Sequence, residues 1–181
     1  MENTEFRVEL VRLVDESYPV VVGRGLEGSV AQFLADKHPD RKAAVVTDSN
    51  VASLAAESLI SSFGSRPADL VVFPAGEASK TREVKERVED ELIARGFGRD
   101  TVIVALGGGV VTDLAGFVAA TFTRGVPYVS LTTTLLGAAD AAIGGKTAVD
   151  TPAATNLIGA FHQPAAVFID GALVGGMLAT A

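Results

Sequence analysis

The apolar run Val102-Ile103-Val104-Ala105-Leu106 stops at Gly107-Gly108-Gly109 and passes straight into Val110-Val111-Thr112-Asp113. No other junction constrains the fold as much. The apolar run reads as a buried strand and the segment after the glycines as a helix. A strand that becomes a helix through three glycines presents bare backbone N–H groups, and the helix dipole adds positive potential there. Such a turn suits a phosphate or a dinucleotide pyrophosphate. Glycine clusters after strands are often plain turns, however, and this one lacks the GxGxxG spacing, so the turn alone leaves both readings open.

Strand and helix patterns alternate through the rest of the chain. Phe6, Val8 and Leu10 alternate with Arg7 and Glu9, and 18–22 is a second β-rich run. With Asp15-Glu16-Ser17 as the turn, these predict an N-terminal hairpin. Further strands are expected at 42–47, 69–73, 101–106, 127–131 and 165–169. Val30, Phe33 and Leu34 share one helical face, and a second helix is expected from about 50 to 63. The segment 80–95 is the clearest helix, because Val84, Val88 and Leu92 recur among charges and Gly96 supplies the stop. Strands alternating with helices through short loops imply an α/β fold, a mostly parallel sheet with helices on both faces. Ligands on such sheets bind beyond the carboxyl ends of the strands. Thr47-Asp48-Ser49-Asn50, Pro74-Ala75-Gly76-Glu77 and the three glycines are all expected at that edge.

Composition narrows the function. A chain of 181 residues, 48% of them hydrophobic, can bury a core, and one domain over 1–181 is the default. The net charge of −7, with no basic run longer than two residues, argues against a nucleic-acid partner. Without cysteine there is neither a disulfide framework nor a thiolate metal site. His38 and His162 are the only histidines, and no zinc-binding spacing is present, so no metal site is expected within this chain. MENTEF lacks the layout of a signal peptide, and no apolar run is long enough to span a bilayer. A cytoplasmic protein without a membrane partner is the simplest expectation. The tail from Gly171 to Ala181 carries no charge and reads as a connection into something further.

Individual side chains carry double readings. Asp113 could be a first-turn carboxylate favoured by the helix dipole, and Asp48 a helix cap. Glu77 and Lys80 could form an ordinary surface pair. His38, before Pro39 at a helix end, is expected to be exposed. Lys146 and Asp140 lie in a small-residue stretch, where burying them is costly unless they pair or serve a ligand.

Taken together, GGGVVTDLAGFVAATFTRG, TTLLGAADAAIGGKT, NLIGAFHQP and the closing FID resemble the 3-dehydroquinate synthase family, and VVTDSNV and FPAGEASKT fall in the family's order upstream. The resemblance implies a Rossmann-like NAD-binding domain. It also implies NAD-dependent cyclisation of 3-deoxy-D-arabino-heptulosonate 7-phosphate to 3-dehydroquinate with loss of phosphate, in the shikimate pathway. By position, Asp48, Asn50, Glu77 and Lys80 would hold the adenosine side of NAD. Gly107, Gly108, Gly109, Val110 and Asp113 would lie at the pyrophosphate and neighbouring ribose, with Thr133, Thr134 and Leu136 further along the cofactor. Asp140, Lys146 and Asn156 would line the nicotinamide and substrate end, with Lys146 and Asp140 catalytic. Arg124 would reach the substrate phosphate of a neighbouring subunit, which implies a homodimer. Carboxylates accept from ribose hydroxyls, and Lys and Arg stabilise phosphate and developing alkoxide charge.

The family continues into a helical domain carrying the divalent-metal ligands (Zn or Co), which this chain does not include. The expectation is therefore that this polypeptide alone binds NAD weakly at best and does not turn over substrate. Several positions depart from the family pattern: Thr112 for glycine, Thr132 for proline, Ala141-Ala142 for two serines, and Asp150, Thr151 and Thr155 for asparagine, histidine and lysine. Losing that lysine removes a cation near the ligand and bears on the exact substrate. Three other readings remain. The chain could come from a related sugar-phosphate cyclase making a valiolone or an inosose, from a glycerol-dehydrogenase-like NAD enzyme, or from a non-catalytic NAD-binding module. Asp140 and GGKT favour the cyclase branch over a glycerol dehydrogenase, and NLIGAF and GGKT match the dehydroquinate synthase branch.

Overall fold

A computed structural model describes residues 4–8 and 17–179, with the backbone alone at 4–8 and 176–179. The strands in chain order are β1 (Thr4–Val8), β2 (Tyr18–Gly23), β3 (Lys42–Asp48), β4 (Ala68–Phe73), β5 (Thr101–Gly107), β6 (Tyr128–Thr132), β7 (Lys146–Thr151), β8 (Ala154–Phe161) and β9 (Ala166–Asp170). The helices are α1 (Glu27–Lys37), α2 (Ser49–Val51), α3 (Glu57–Ser62), α4 (Arg82–Ala94), α5 (Gly109–Thr121) and α6 (Gly171–Ala179). The main sheet has the order β1-β2-β9-β6-β5-β3-β4, parallel throughout except for antiparallel β1 at the edge. Leu10, Asp15 and Glu16 of the expected N-terminal hairpin lie outside the described residues, while its pairing, with Phe6 opposite Val20, is present.

Every residue of β5 is buried, as a strand covered on both faces requires. Side-chain alternation divides the core in two. Ala44, Val46, Ile103 and Ala105 face α4 and α5, where they meet Val84, Val88, Leu92, Leu114 and Val118. Ala43, Val45, Val102, Val104 and Leu106 face the opposite layer, against Val30 and Leu34 of α1 and Leu59 of α3. At about 25 cal/mol per Å² of apolar surface removed from water, these two layers supply most of the drive to fold.

Two expected helices differ in detail. The segment expected at 50–63 starts at Ser49 and is interrupted by a π-helical turn, Ala52–Ala56. The helix expected from 80 starts at Arg82, because Thr81 caps it by accepting Val84 N–H at 3.3 Å. Lys80 is thereby left outside the helix.

The β7–β8 hairpin was not foreseen as structure. It forms its own two-stranded antiparallel sheet beside α5. Gly116 permits that approach, since a Cβ there would lie 2.5 Å from Thr147 Cγ2. The hairpin is irregular. After Val149 pairs with Ile158 the next pair is Thr151 with Ala154, so Asp150 stands opposite the three residues Thr155, Asn156 and Leu157. Asn156 adopts a left-handed φ of 54° in this bulge.

Candidate functional site

The carboxyl ends of β3, β5 and β6 lie side by side, and the loops leaving them form one wall of a cleft. Gly108 is the N-cap of α5 and contributes no side-chain cap, so the first-turn N–H groups of the helix remain open toward this edge. A Cβ on Gly108 would lie 2.8 Å from Thr134 Cγ2, so the turn can pass beneath Thr134 only as glycine. Gly107 is buried behind the turn, where its carbonyl accepts Thr133 N–H at 3.0 Å. Asp48, Glu77, Lys80, Gly108, Gly109, Val110, Asp113, Thr133, Thr134, Leu136, Asp140 and Asn156 all border this part of the cleft.

The cleft continues between the π-helical turn Gly137–Ala141 and the hairpin. Asp113, Asp140, Ala141 and Asn156 border both parts, and Lys146, Thr147, Ala148, Leu157, Gly159, Ala160 and Phe161 complete the second. Lys146 Nζ donates to Asp140 Oδ1 at 2.9 Å, yet both side chains are about two-thirds exposed (60% and 65%). The two residues do pair, but in solvent instead of in a buried setting, so the contact is weak structurally and free to exchange partners with a ligand.

Lys80 also differs from expectation. It is 4% exposed and does not pair with Glu77. Its ammonium donates to Asp113 Oδ2 and to Asn156 Oδ1, each at 2.5 Å. Burial raises the Asp113 carboxyl above its ordinary range, although the hydrogen bond and charge of Lys80 and the charge of Lys146 pull it down; Glu77 adds to the rise. Asp48 does cap its helix, accepting Asn50 and Val51 N–H at 2.9 Å, and still borders the cleft.

Three expected site residues stand apart from both parts of the cleft: Asn50, Gly107 and Arg124. Asn50 is exposed on α2. Arg124 is exposed beyond the far end of α5, in a turn where Thr123, Arg124 and Gly125 all have positive φ. It cannot serve the cleft of its own chain from there. His38 is half-buried instead of exposed, its ring 6.0 Å from that of Phe33, and burial followed by Arg41 and Arg66 lowers its pKa.

Among the unusual positions, Thr132 is buried and its hydroxyl has no hydrogen-bond partner among the described residues. Thr112 Oγ1 donates to Gly109 C=O at 3.1 Å, Ala142 is buried against Tyr18, Val20 and Val167, and Thr155 is exposed. Ala141 borders both parts of the cleft, so a missing serine hydroxyl is felt there. Among the described residues no group of three or more His, Cys, Asp or Glu could hold a metal ion, and no helix is long and apolar enough to cross a membrane.

A family model described as 3-dehydroquinate synthase, N-terminal, matches residues 70–180, which include the glycine turn, the hairpin and all of the cleft lining except Asp48 and Val51. The chain belongs to the 3-dehydroquinate synthase family. It is 46% identical over 160 residues to the 3-dehydroquinate synthase of Methylococcus capsulatus, a match covering 88% of this chain and 44% of that enzyme. The chain therefore spans less than half the length of that relative. Among solved structures it is similar to a 2-deoxy-scyllo-inosose synthase complexed with carbaglucose-6-phosphate, NAD+ and Co2+, at a TM-score of 0.85 and 27% identity over 94% of this chain and 47% of that one. It is also similar to a 2-epi-5-epi-valiolone synthase from Streptomyces hygroscopicus with NAD+ and Zn2+ bound, at a TM-score of 0.77 and 35% identity over 93% of this chain and 46% of that one.

The cleft of this family member was only partly legible beforehand. Thr147, Leu157, Gly159, Phe161 and Ala141 border it and were not singled out for it. The signals were Gly144-Gly145 before Lys146 and Pro152 after Thr151, which together bound β7.

Proposed function

We propose that this chain is the NAD-binding part of a 3-dehydroquinate synthase, an enzyme that cyclises 3-deoxy-D-arabino-heptulosonate 7-phosphate to 3-dehydroquinate with loss of phosphate. The observation that carries the reading is the continuity of the glycine-turn wall with the Asp140–Lys146 pair through Asp113, Ala141 and Asn156. A dinucleotide laid on the turn would thereby reach a polar pocket suited to a polyol phosphate. The greater identity to dehydroquinate synthases than to the valiolone and inosose synthases favours this substrate.

The residues present fit NAD. The open N–H groups of α5 suit its pyrophosphate, and the buried hydroxyl of Thr133 has no hydrogen-bond partner among the described residues, leaving it available to a ligand. Bound NAD would supply a reversible hydride acceptor. The cleft carries Asp48, Glu77, Asp113 and Asp140 against only Lys80 and Lys146, so backbone amides hold the anionic groups more than side-chain cations do. Asp48 and Glu77 accept from ribose hydroxyls, while Gly107 supports the glycine turn under the pyrophosphate. Lys146, oriented by Asp140, stabilises negative charge developing on a substrate oxygen. Asn156 orients the substrate, and Arg124 serves a neighbouring subunit in a homodimer. In the family, the divalent metal and further substrate contacts belong to a second domain. A cytoplasmic location fits this role.

Calorimetric titration of NAD into the chain tests the reading, with Gly109→Asp as control. A Cβ at Gly109 would lie 3.4 Å from Ala141 Cβ, so the variant places a carboxylate in the cradle at the positive end of α5. Binding that the variant abolishes is the expected result. Equal binding by both would refute the pyrophosphate site.

A further inference from the structure

Lys80 is bound to the hairpin at both ends of the residue. Its carbonyl accepts Asp150 N–H at 2.7 Å, while its ammonium, 2.5 Å from Asn156 Oδ1, also meets Asp113 on α5 at 2.5 Å. Asp150 closes the loop by accepting Asn156 N–H at 2.7 Å through Oδ1. These contacts converge on the bulge, the one stretch of β7–β8 where the ladder fails, and Asn156 holds its left-handed φ there. Apart from its ladder with β7, β8 buries little apolar surface, since Leu157 is 61% and Phe161 77% exposed. Burying a lysine in this way is costly unless its hydrogens are taken, and two of the three go to Asp113 and Asn156.

We propose that Lys80 is a positioning residue, a latch that fastens the tip of the β7–β8 hairpin to α5 and so fixes the width of the cleft between the glycine turn and Lys146. Asp150 is its accessory. It borders neither part of the cleft, yet it fixes the Asn156 backbone against which Lys80 closes. The latch is defined by hairpin geometry and stands whether or not the cleft takes NAD. Its consequence for binding rests on the cofactor reading.

Hydrogen exchange of the full chain, with NAD titrations alongside, tests the latch on Lys80→Met, Lys80→Arg and Asp150→Ala. Lys80→Met is expected to speed exchange of the β7–β8 amides at least about tenfold, as befits a lost charge-assisted bond, with β3 and β5 amides unchanged. Asp150→Ala should do the same more mildly and also weaken NAD binding, while Lys80→Arg recovers part of both. If Lys80→Met weakened NAD binding with hairpin exchange unaltered, and Asp150→Ala had no effect, Lys80 would be a simple ligand cation and the latch would be overturned. Should Lys80→Met lose protection in β3 and β5 as well, it has unfolded and Asp150→Ala decides alone: unchanged hairpin exchange overturns the latch. A wild-type chain that binds no NAD counts against the cofactor reading, and the exchange comparison still decides the latch.

Discussion

The glycine-turn wall of the cleft hangs on β3, β5 and β6, strands whose side chains are buried in two apolar layers, whereas the hairpin wall hangs on a bulge, one buried lysine and a largely exposed strand. The first wall is fixed by the same burial that folds the chain. The second is fixed by a few polar contacts and can loosen without unfolding the sheet. A site built this way can hold a cofactor on a rigid face while the opposite face adjusts.

The largest effect should come from the rigid side. Leu114 is fully buried between α5 and the sheet, so Leu114→Ala is expected to cost about 3 kcal/mol in denaturant unfolding. A cost under about 1 kcal/mol would mean that the two walls do not differ as described. Gly159→Ala breaks the other side. Its Cβ would lie 1.9 Å from Thr147 C=O, so β8 must part from β7. Rapid proteolysis confined to 146–161 is expected, with the sheet's unfolding transition kept; cleavage spread over the whole chain would contradict the separation.

Asp113 joins the walls, and its titration sharpens the contrast. A carboxyl held above its ordinary pKa by burial contributes stability while protonated and loses it as pH rises through the raised value. Asp113→Asn mimics the protonated form. It should therefore gain stability relative to wild type as pH is raised from about 4 to neutral, read from unfolding curves across that window. The opposite trend would show that the Lys80 pair outweighs burial. The smallest effect belongs to Asp140. Its pair with Lys146 is exposed, so Asp140→Asn should shift stability by less than about 1 kcal/mol, and a larger loss would make the pair structural.

The same division explains what could be read from the sequence. Strand β5 and its glycine turn were legible because an unbroken apolar run has one reading in an α/β chain, and helix α4 because Val84, Val88 and Leu92 recur at helical spacing. The hairpin was hidden because β8 is exposed on both faces over its first half and only half-buried on one face over the rest, so burial wrote little alternation into ATNLIGAF. For Lys80 the sequence left a surface pair with Glu77 beside a cofactor role; its burial depends on Asp113 and Asn156, distant in sequence, and no local pattern encodes that. For Lys146 and Asp140 the sequence left a structural pair and a ligand role open; they pair, and they do so on the border of an open cleft.

Hydrogen exchange of the chain with and without saturating NAD tests the central claim, one continuous cleft with a rigid and a latched wall, most directly. The account predicts slowed exchange at 108–113 and 133–137 together with 146–157 on the hairpin. Slowing confined to the glycine turn, with the hairpin indifferent to NAD, would contradict it.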